Sequence, residues 1–229
     1  MAQLAARKGF TLRVRRRALT LTEIVADGIV HGVGLLVALV AGTALITLAA
    51  VFYGADAIVS LSIYVATLLV VLVASLAYNI APAGRLKAWF ARLDQAAIFL
   101  FIAGSYTPLL TAAGGSLRVD ALLAIVWILA GIGMALKLWV PQRFGRVAIL
   151  LYLAIGWSGL AAADTLAQAL PADVLWLILA GGVAFTVGVV FHLWEELRFQ
   201  TVVWHGLVVL GTVLHLIAIY RTVLTGHLA

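Results

Sequence analysis

Cysteine is absent from this 229-residue chain, and charged residues make up only 10% of it. The first absence excludes disulfides, thiolate metal sites and cysteine nucleophiles, so any metal must be held by His, Asp or Glu. The second excludes an ordinary soluble domain, in which about a quarter of residues carry charge. Apolar residues fill the space: 65% of the chain is hydrophobic, with a mean hydropathy of +1.17. Such a sequence is an integral membrane protein, and spans of about 20 residues with short connections use up its length as one domain. A net charge of +6 does not call for a nucleic acid partner, because the basic residues of membrane proteins gather in loops that stay cytoplasmic.

Residues 1–20 carry Arg7, Lys8, Arg13, Arg15, Arg16 and Arg17 and no acid, which makes them a cytoplasmic tail ahead of a transmembrane domain at 21–229. A cleaved export signal does not fit, because Glu23 and Asp27 interrupt the stretch after the arginines and the next apolar run is too long. Seven apolar segments come next, near 28–51, 57–79, 95–113, 120–140, 146–163, 174–194 and 202–222. They predict an all-α polytopic membrane protein with seven transmembrane helices. The runs are continuous and do not alternate, which excludes a β-barrel. With the tail inside, 13 of the 15 Lys and Arg residues fall on the tail side, and only Arg118 and Arg221 on the other. That bias predicts a cytoplasmic amino terminus and an external carboxyl terminus.

The polar residues concentrate at one depth. Glu23, Asp27 and His31 are four apart, and so share one face of the first helix. Ser75 and Asn79 are four apart at the end of the second helix; Asp94 and Gln95 open the third; Thr201 and His205 open the seventh. Charged groups at membrane depth cost on the order of 2.5–3.5 kcal/mol each, so they face the bundle interior and find partners. Duller readings stand beside this one. Asp94 reads equally as an N-cap of the third helix paired with Arg92 or Lys87. Glu23 reads as a cap of the first helix, Ser75 as a serine bonded to a carbonyl one turn earlier, and His205 as an interfacial histidine beside Trp204. The pair Gly28 and Gly32, and the run Gly181, Gly182 and Gly188, read as close helix-packing surfaces.

Five stretches taken together resemble one family. L-T-E-I-V-A-D-G-I-V-H-G at 21–32, S-L-A-Y-N at 75–79, L-D-Q-A-A-I-F-L-F-I-A-G-S-Y-T-P at 93–108, G-G-V-A-F-T-V-G-V-V-F at 181–191 and W-H-G-L-V-V-L-G-T-V-L-H at 204–215 are similar to the hemolysin III family. This is the bacterial branch of the progestin and adiponectin receptor (PAQR) superfamily. The resemblance implies a zinc site near the cytoplasmic end, built in the wider superfamily from a histidine of S-x-x-x-H, an aspartate on the third helix and two histidines spaced H-x-x-x-H on the seventh. Here Ser75, Asp94 and His205 match. Asn79 and Thr201 stand where the resemblance implies imidazoles, and Gln95 follows Asp94 where His is frequent. A single remaining histidine is short of a closed zinc site. Two alternatives stay open: a zinc held by His205 and Asp94 with help from Glu23, Asp27 or His31, or a metal-free polar network of Asn79, Asp94, Gln95, Thr201 and His205.

For function, the resemblance implies a protein of the bacterial inner membrane acting in lipid or membrane-energy homeostasis, with membrane lipids as partners. In the ceramidase-like version it hydrolyses a lipid amide, Asp94 orienting water or moving its proton and Ser75 holding the oxyanion. The alternative from another class is a module that senses a lipid without turning it over. A pore-forming cytolysin fits less well, because no helix carries the continuous polar stripe that lines a channel.

Overall fold

The computed structural model describes residues 19–140 and 145–226, all helix and connecting turns with no strand among them. Most of the basic tail assigned to 1–20 lies outside the described residues. Seven helical segments are long and apolar enough to cross a membrane. Six are single helices: α1 (Leu21–Phe52), α2 (Ala55–Ile80), α3 (Arg85–Ala112), α4 (Leu117–Trp139), α7 (Ala172–Leu193) and α8 (Gln200–Leu224). The fifth, Val147–Ala169, is composite: α5 (Gly145–Gly156), a 3-10 turn (Ser158–Ala162) and α6 (Ala163–Ala169). We call the end of the bundle where α1, α3 and α8 begin the near end.

Helix α1 starts at Leu21, earlier than its apolar run, because Thr20 and Glu23 form a capping box. The Thr20 hydroxyl accepts from the Glu23 amide at 3.3 Å, and the Glu23 carboxylate accepts from the Thr20 amide at 2.9 Å, so two orphan amides at the helix start are satisfied. The helix is about 48 Å long at 1.5 Å per residue, yet it buries a stripe only one residue wide. That stripe is Glu23, Asp27, His31, Gly34, Ala38, Gly42, Leu45 and Ala49. Its steps repeat every eleven residues, about 3.67 per turn, close enough to the helical period for the seam to run nearly straight. The first three positions are ionisable, and the next three are small enough for neighbours to come close.

The basic stretch before the third span is helix and not loop, which corrects the sequence reading. Helix α3 begins at Arg85, with Gly84 at φ 146 turning the chain into it, a backbone region open mainly to glycine. Charge marked residues 85–92 as a connection, but Leu86, Ala88 and Trp89 are compatible with a helix lying at the interface. Lys87 also has a local task. Its ammonium donates to the carbonyls of Asn79 at 3.3 Å and Ala81 at 3.1 Å, capping the end of α2. Asp94 therefore lies well inside α3 and does not N-cap it.

The break in the fifth span follows from residues that sequence spacing did not connect. Past Gly156 the helical hydrogen bonds lapse, and the Tyr106 hydroxyl of α3 takes their place. It donates toward the carbonyl of Gly156 at 2.7 Å and accepts from the Gly159 amide at 2.8 Å. An irregular backbone in hydrocarbon is tolerable only with such substitutes. Trp157, at the break, donates to Thr186 of α7 at 3.0 Å.

Helices α7 and α8 make the most extensive pairing, followed by α2 with α3 and α3 with α4, while α1 packs on α2 and α8. One apolar core joins α1, α2, α3 and α8 around Leu61, Tyr64, Phe101 and Ile219. A second joins α3, α4 and α5 around Phe99, Val126 and Ile155. Close approaches rest on particular glycines. A Cβ on Gly104 would overlap the Thr67 side chain, one on Gly133 the ring of Phe99, and one on Gly181 the ring of His215. Gly28 and Gly32 have no neighbour within 4 Å, so the packing role expected of that pair is not realised within the described chain. At the far end, Arg118 pairs with Asp164 and Arg221 with Asp173, each at 2.7 Å.

These contacts predict opposite outcomes for glycines of one type. Gly104→Val should destabilise the α2–α3 pairing by about 1–3 kcal/mol through overpacking, whereas Gly28→Val and Gly32→Val should each stay within about 0.5 kcal/mol. The measurement is unfolding of the purified protein in mixed micelles of increasing SDS content.

Candidate functional site

The polar residues of α1, α2 and α8 meet at the near end. Asp27 is the centre, 2% exposed and with both carboxylate oxygens engaged. One accepts from Nδ1 of His205 at 2.6 Å, and the other accepts from the side-chain amide of Asn79. His31, one turn on and also buried, donates its Nδ1 proton to the Asp27 carbonyl at 2.7 Å. That bond leaves Nε2 of His31 as an acceptor, and the Ser75 hydroxyl lies 2.8 Å from it. Nε2 of His205 faces the same hydroxyl at 3.4 Å. The two imidazoles stand edge to face, with centroids 4.3 Å apart.

A count of protons exposes the chemistry of this arrangement. A neutral imidazole has one N–H and one lone pair. Both N–H groups are spent on Asp27, one on its carbonyl and one on its carboxylate, so both Nε2 lone pairs point at Ser75. The hydroxyl has one proton and satisfies only one of them. A proton on one ring or a metal ion would complete the set, and one ligand atom from each of Asp27, His31 and His205 lies within 4.8 Å of the others. Two imidazoles and a carboxylate form a donor set that suits zinc. The residues therefore fit a metal ion, and Asp27, His31 and His205 form the candidate triad.

Ser75 differs from five other buried hydroxyls in the bundle. Ser60, Thr67, Ser105, Thr107 and Thr222 each bond a carbonyl three or four residues back in their own helix, the ordinary fate of a hydroxyl in a membrane helix. Ser75 bonds across helices, to His31 and His205, so the back-bonding reading does not hold for it. Asp94, half-buried on α3, lies within interaction range of Ser75, His205 and Asp27.

The remaining residues singled out from sequence occupy the margins. Glu23 sits one turn before Asp27 and has structural work. Besides the capping box, its carboxylate accepts from the Phe199 amide at 2.8 Å. Phe199 is the only non-glycine residue at positive φ among those described, at φ 59, so Glu23 pins the strained turn that starts α8. Thr201 turns its hydroxyl to Gln200 at 3.3 Å. Gln95 takes part through its main-chain carbonyl, which accepts from the Tyr152 hydroxyl at 2.6 Å. Sequence reasoning placed Asp27 and His31 on the right helical face but gave them only a supporting part. Their i, i+4 spacing was the available signal; what it lacked was the rotation of α8 that points His205 at Asp27.

Comparison with known proteins covers nearly the whole chain. The family described as haemolysin-III related matches residues 20–216. Among curated relatives, Hemolysin-3 of Bacillus cereus is 35% identical over 202 residues, 88% of this chain and 91% of that protein. The Hemolysin-3 homolog of Bacillus subtilis (strain 168) is 32% identical over 193 residues, 84% of this chain and 91% of that protein. The seven spans, the five motif stretches within them and these matches make this chain a multi-pass membrane protein of the hemolysin III family.

Proposed function

We propose that this protein is a PAQR-type lipid amide hydrolase of the bacterial inner membrane whose centre is a zinc ion held by Asp27, His31 and His205. The observation that carries the reading is the meeting of two imidazoles and a carboxylate, with both Nε2 atoms facing one hydroxyl and the Asp27 carboxylate on the Nδ1 side of the same rings. The zinc would supply Lewis acidity toward a carbonyl and an activated water. The chain's own groups supply the rest. Asp27 meets His205 at Nδ1, and Asn79 holds Asp27 through its other oxygen, the kind of outer-shell bond that tunes metal sites. Ser75 can give its proton to a developing oxyanion, and Asp94 can take a proton from water or hand one to the leaving amine. Hydrolysis of the amide then yields a fatty acid and an amine.

A second reading, lipid sensing without turnover, is favoured by one specific feature. One turn deeper than the cluster, between Gly34, Leu72 and Val209, the open space is about 10 Å³, enough for one water and no more. A small apolar space of that kind suits a binding module whose helices part when a lipid enters. The inner-membrane assignment, with the amino terminus in the cytoplasm, rests on the charge bias and would put the cluster beneath the inner leaflet.

Two measurements test the proposal. Metal analysis of protein purified without chelators should find about one zinc per chain, lost in His31→Ala and in His205→Ala, and Asn79→Ala should weaken retention by about 10–100-fold. Protein with no bound metal that also fails to take up added zinc would overturn the metal centre. Turnover of a fluorescent ceramide analogue should be abolished in Asp94→Ala while that variant still binds zinc. If zinc-loaded wild-type protein binds the analogue but leaves it intact, the sensing reading replaces the hydrolytic one.

A further inference from the structure

Lys137 is the one lysine or arginine buried among the described residues, 4% exposed in the last turn of α4. It makes no hydrogen bond or ion pair with any of them. A lysine with its stem covered and its ammonium unpaired is costly at membrane depth unless an anion meets it. The residue belongs to the α4 stripe of Val119, Leu122, Val126, Ala130 and Gly133, and Gly133 lies against Phe99 of α3. Its stem thus leaves α4 on the α3-facing side, one turn nearer the near end. The sealed polar atoms without partners are Tyr64 Oη and His215 Nδ1. The Lys137 ammonium is not among them, so the small exposure that remains includes the charge itself.

The surroundings carry the same sign. Of the described basic residues, the two at the far end, Arg118 and Arg221, are neutralised by Asp164 and Asp173. At the near end, Arg85, Lys87, Arg92, Lys137 and Arg198 have no carboxylate partner among the described residues. Lys87 is occupied by the α2 carbonyls, and Arg92 and Arg198 lie over the rings of Trp89 and Phe199. Lys137 alone is held in a crevice with no described group to neutralise it.

We propose that Lys137 anchors a phosphate-binding site at the near ends of α3 and α4, occupied by the headgroup phosphate of an anionic phospholipid from the adjoining leaflet. A lipid phosphate reaches the end of a covered stem without leaving the interface, and the surplus of positive charge around it selects lipids with net negative charge. This site lies on the face of α3 turned toward α4, is independent of the Asp27 cluster, and holds whether or not that cluster binds metal or hydrolyses lipid.

The test is lipid binding by the purified full-length protein, read by native mass spectrometry as dioleoylphosphatidylglycerol or dioleoylphosphatidylcholine is added to detergent. Wild-type protein should bind the phosphatidylglycerol at least tenfold more tightly. Lys137→Met should remove that preference, Lys137→Arg should keep it, and Arg221→Met, at the far end, should leave it unchanged. Competition with inorganic phosphate separates the sources: failure to compete assigns the anchor to the lipid, and displacement at millimolar concentration assigns it to soluble phosphate and overturns the lipid as occupant. Equal phosphatidylglycerol binding by wild type and a folded Lys137→Met would overturn the proposal, as would equal binding of both lipids by wild type.

Discussion

A carboxylate inside a bilayer has no water to solvate it, and the bonds made by Asp27 are the protein's answer to that constraint. Its two oxygens and its carbonyl are taken by side chains from α2, α8 and its own helix. Each of those bonds fixes something further. The imidazole of His205 is locked with Nδ1 inward, the ring of His31 is locked the same way, and both rings then present their free nitrogens to one point. The polarity of the candidate site is thus a consequence of burying one acid with its partners. An acid with a single partner would have left either a bare oxygen or a free ring.

The residues that depart from the wider superfamily pattern fit this logic. Asn79 stands where an imidazole is implied, and it donates to Asp27 and does not ligate. Thr201 stands where a second imidazole is implied, and it bonds Gln200 instead. The residues on α1 that face this gap are Asp27 and His31, and in the proposed centre they would stand in for the implied imidazoles of α2 and α8, with Ser75 and His205 beside them.

Local chemistry made much of this legible and relative rotation hid the rest. Continuous apolar runs marked the seven spans, and the spacing of Glu23, Asp27 and His31 marked the inward face of α1. The start of α3 was missed because Arg85, Lys87 and Arg92 read as loop, although the capping of α2 by Lys87 and the turn at Gly84 make helix the better solution. The break after Gly156 was missed because its compensation comes from Tyr106, about fifty residues away. Gly28 and Gly32 carry a packing signature that the described chain does not use internally, whereas Gly34 and Gly42, without that spacing, lie against Leu72 and Val65. At the site, the depth of every group could be read from its place along its helix. The azimuth of α8 could not, and with it went the choice of Asp27 over Asp94 as the partner of His205.

That azimuth also decides how α1 is held. A helix of 32 residues that buries a single stripe gains little apolar contact, and within a membrane the hydrophobic effect does not press it against its neighbours. Toward the far end, Tyr220 and Tyr53 bridge α1 and α8 through main-chain carbonyls, and close packing at Gly42 serves the middle. Over the near third, the attachment consists of Glu23 to Phe199, Asp27 to Asn79 and His205, and His31 to Ser75. The contacts that compose the candidate centre are the contacts that keep α1 on the bundle. A metal ion joining Asp27 and His31 to His205 would cross-link α1 to α8, and occupancy of the centre and closure of the near end would then be one equilibrium. Any molecule that parted those helices would have to break the same bonds that shape the site.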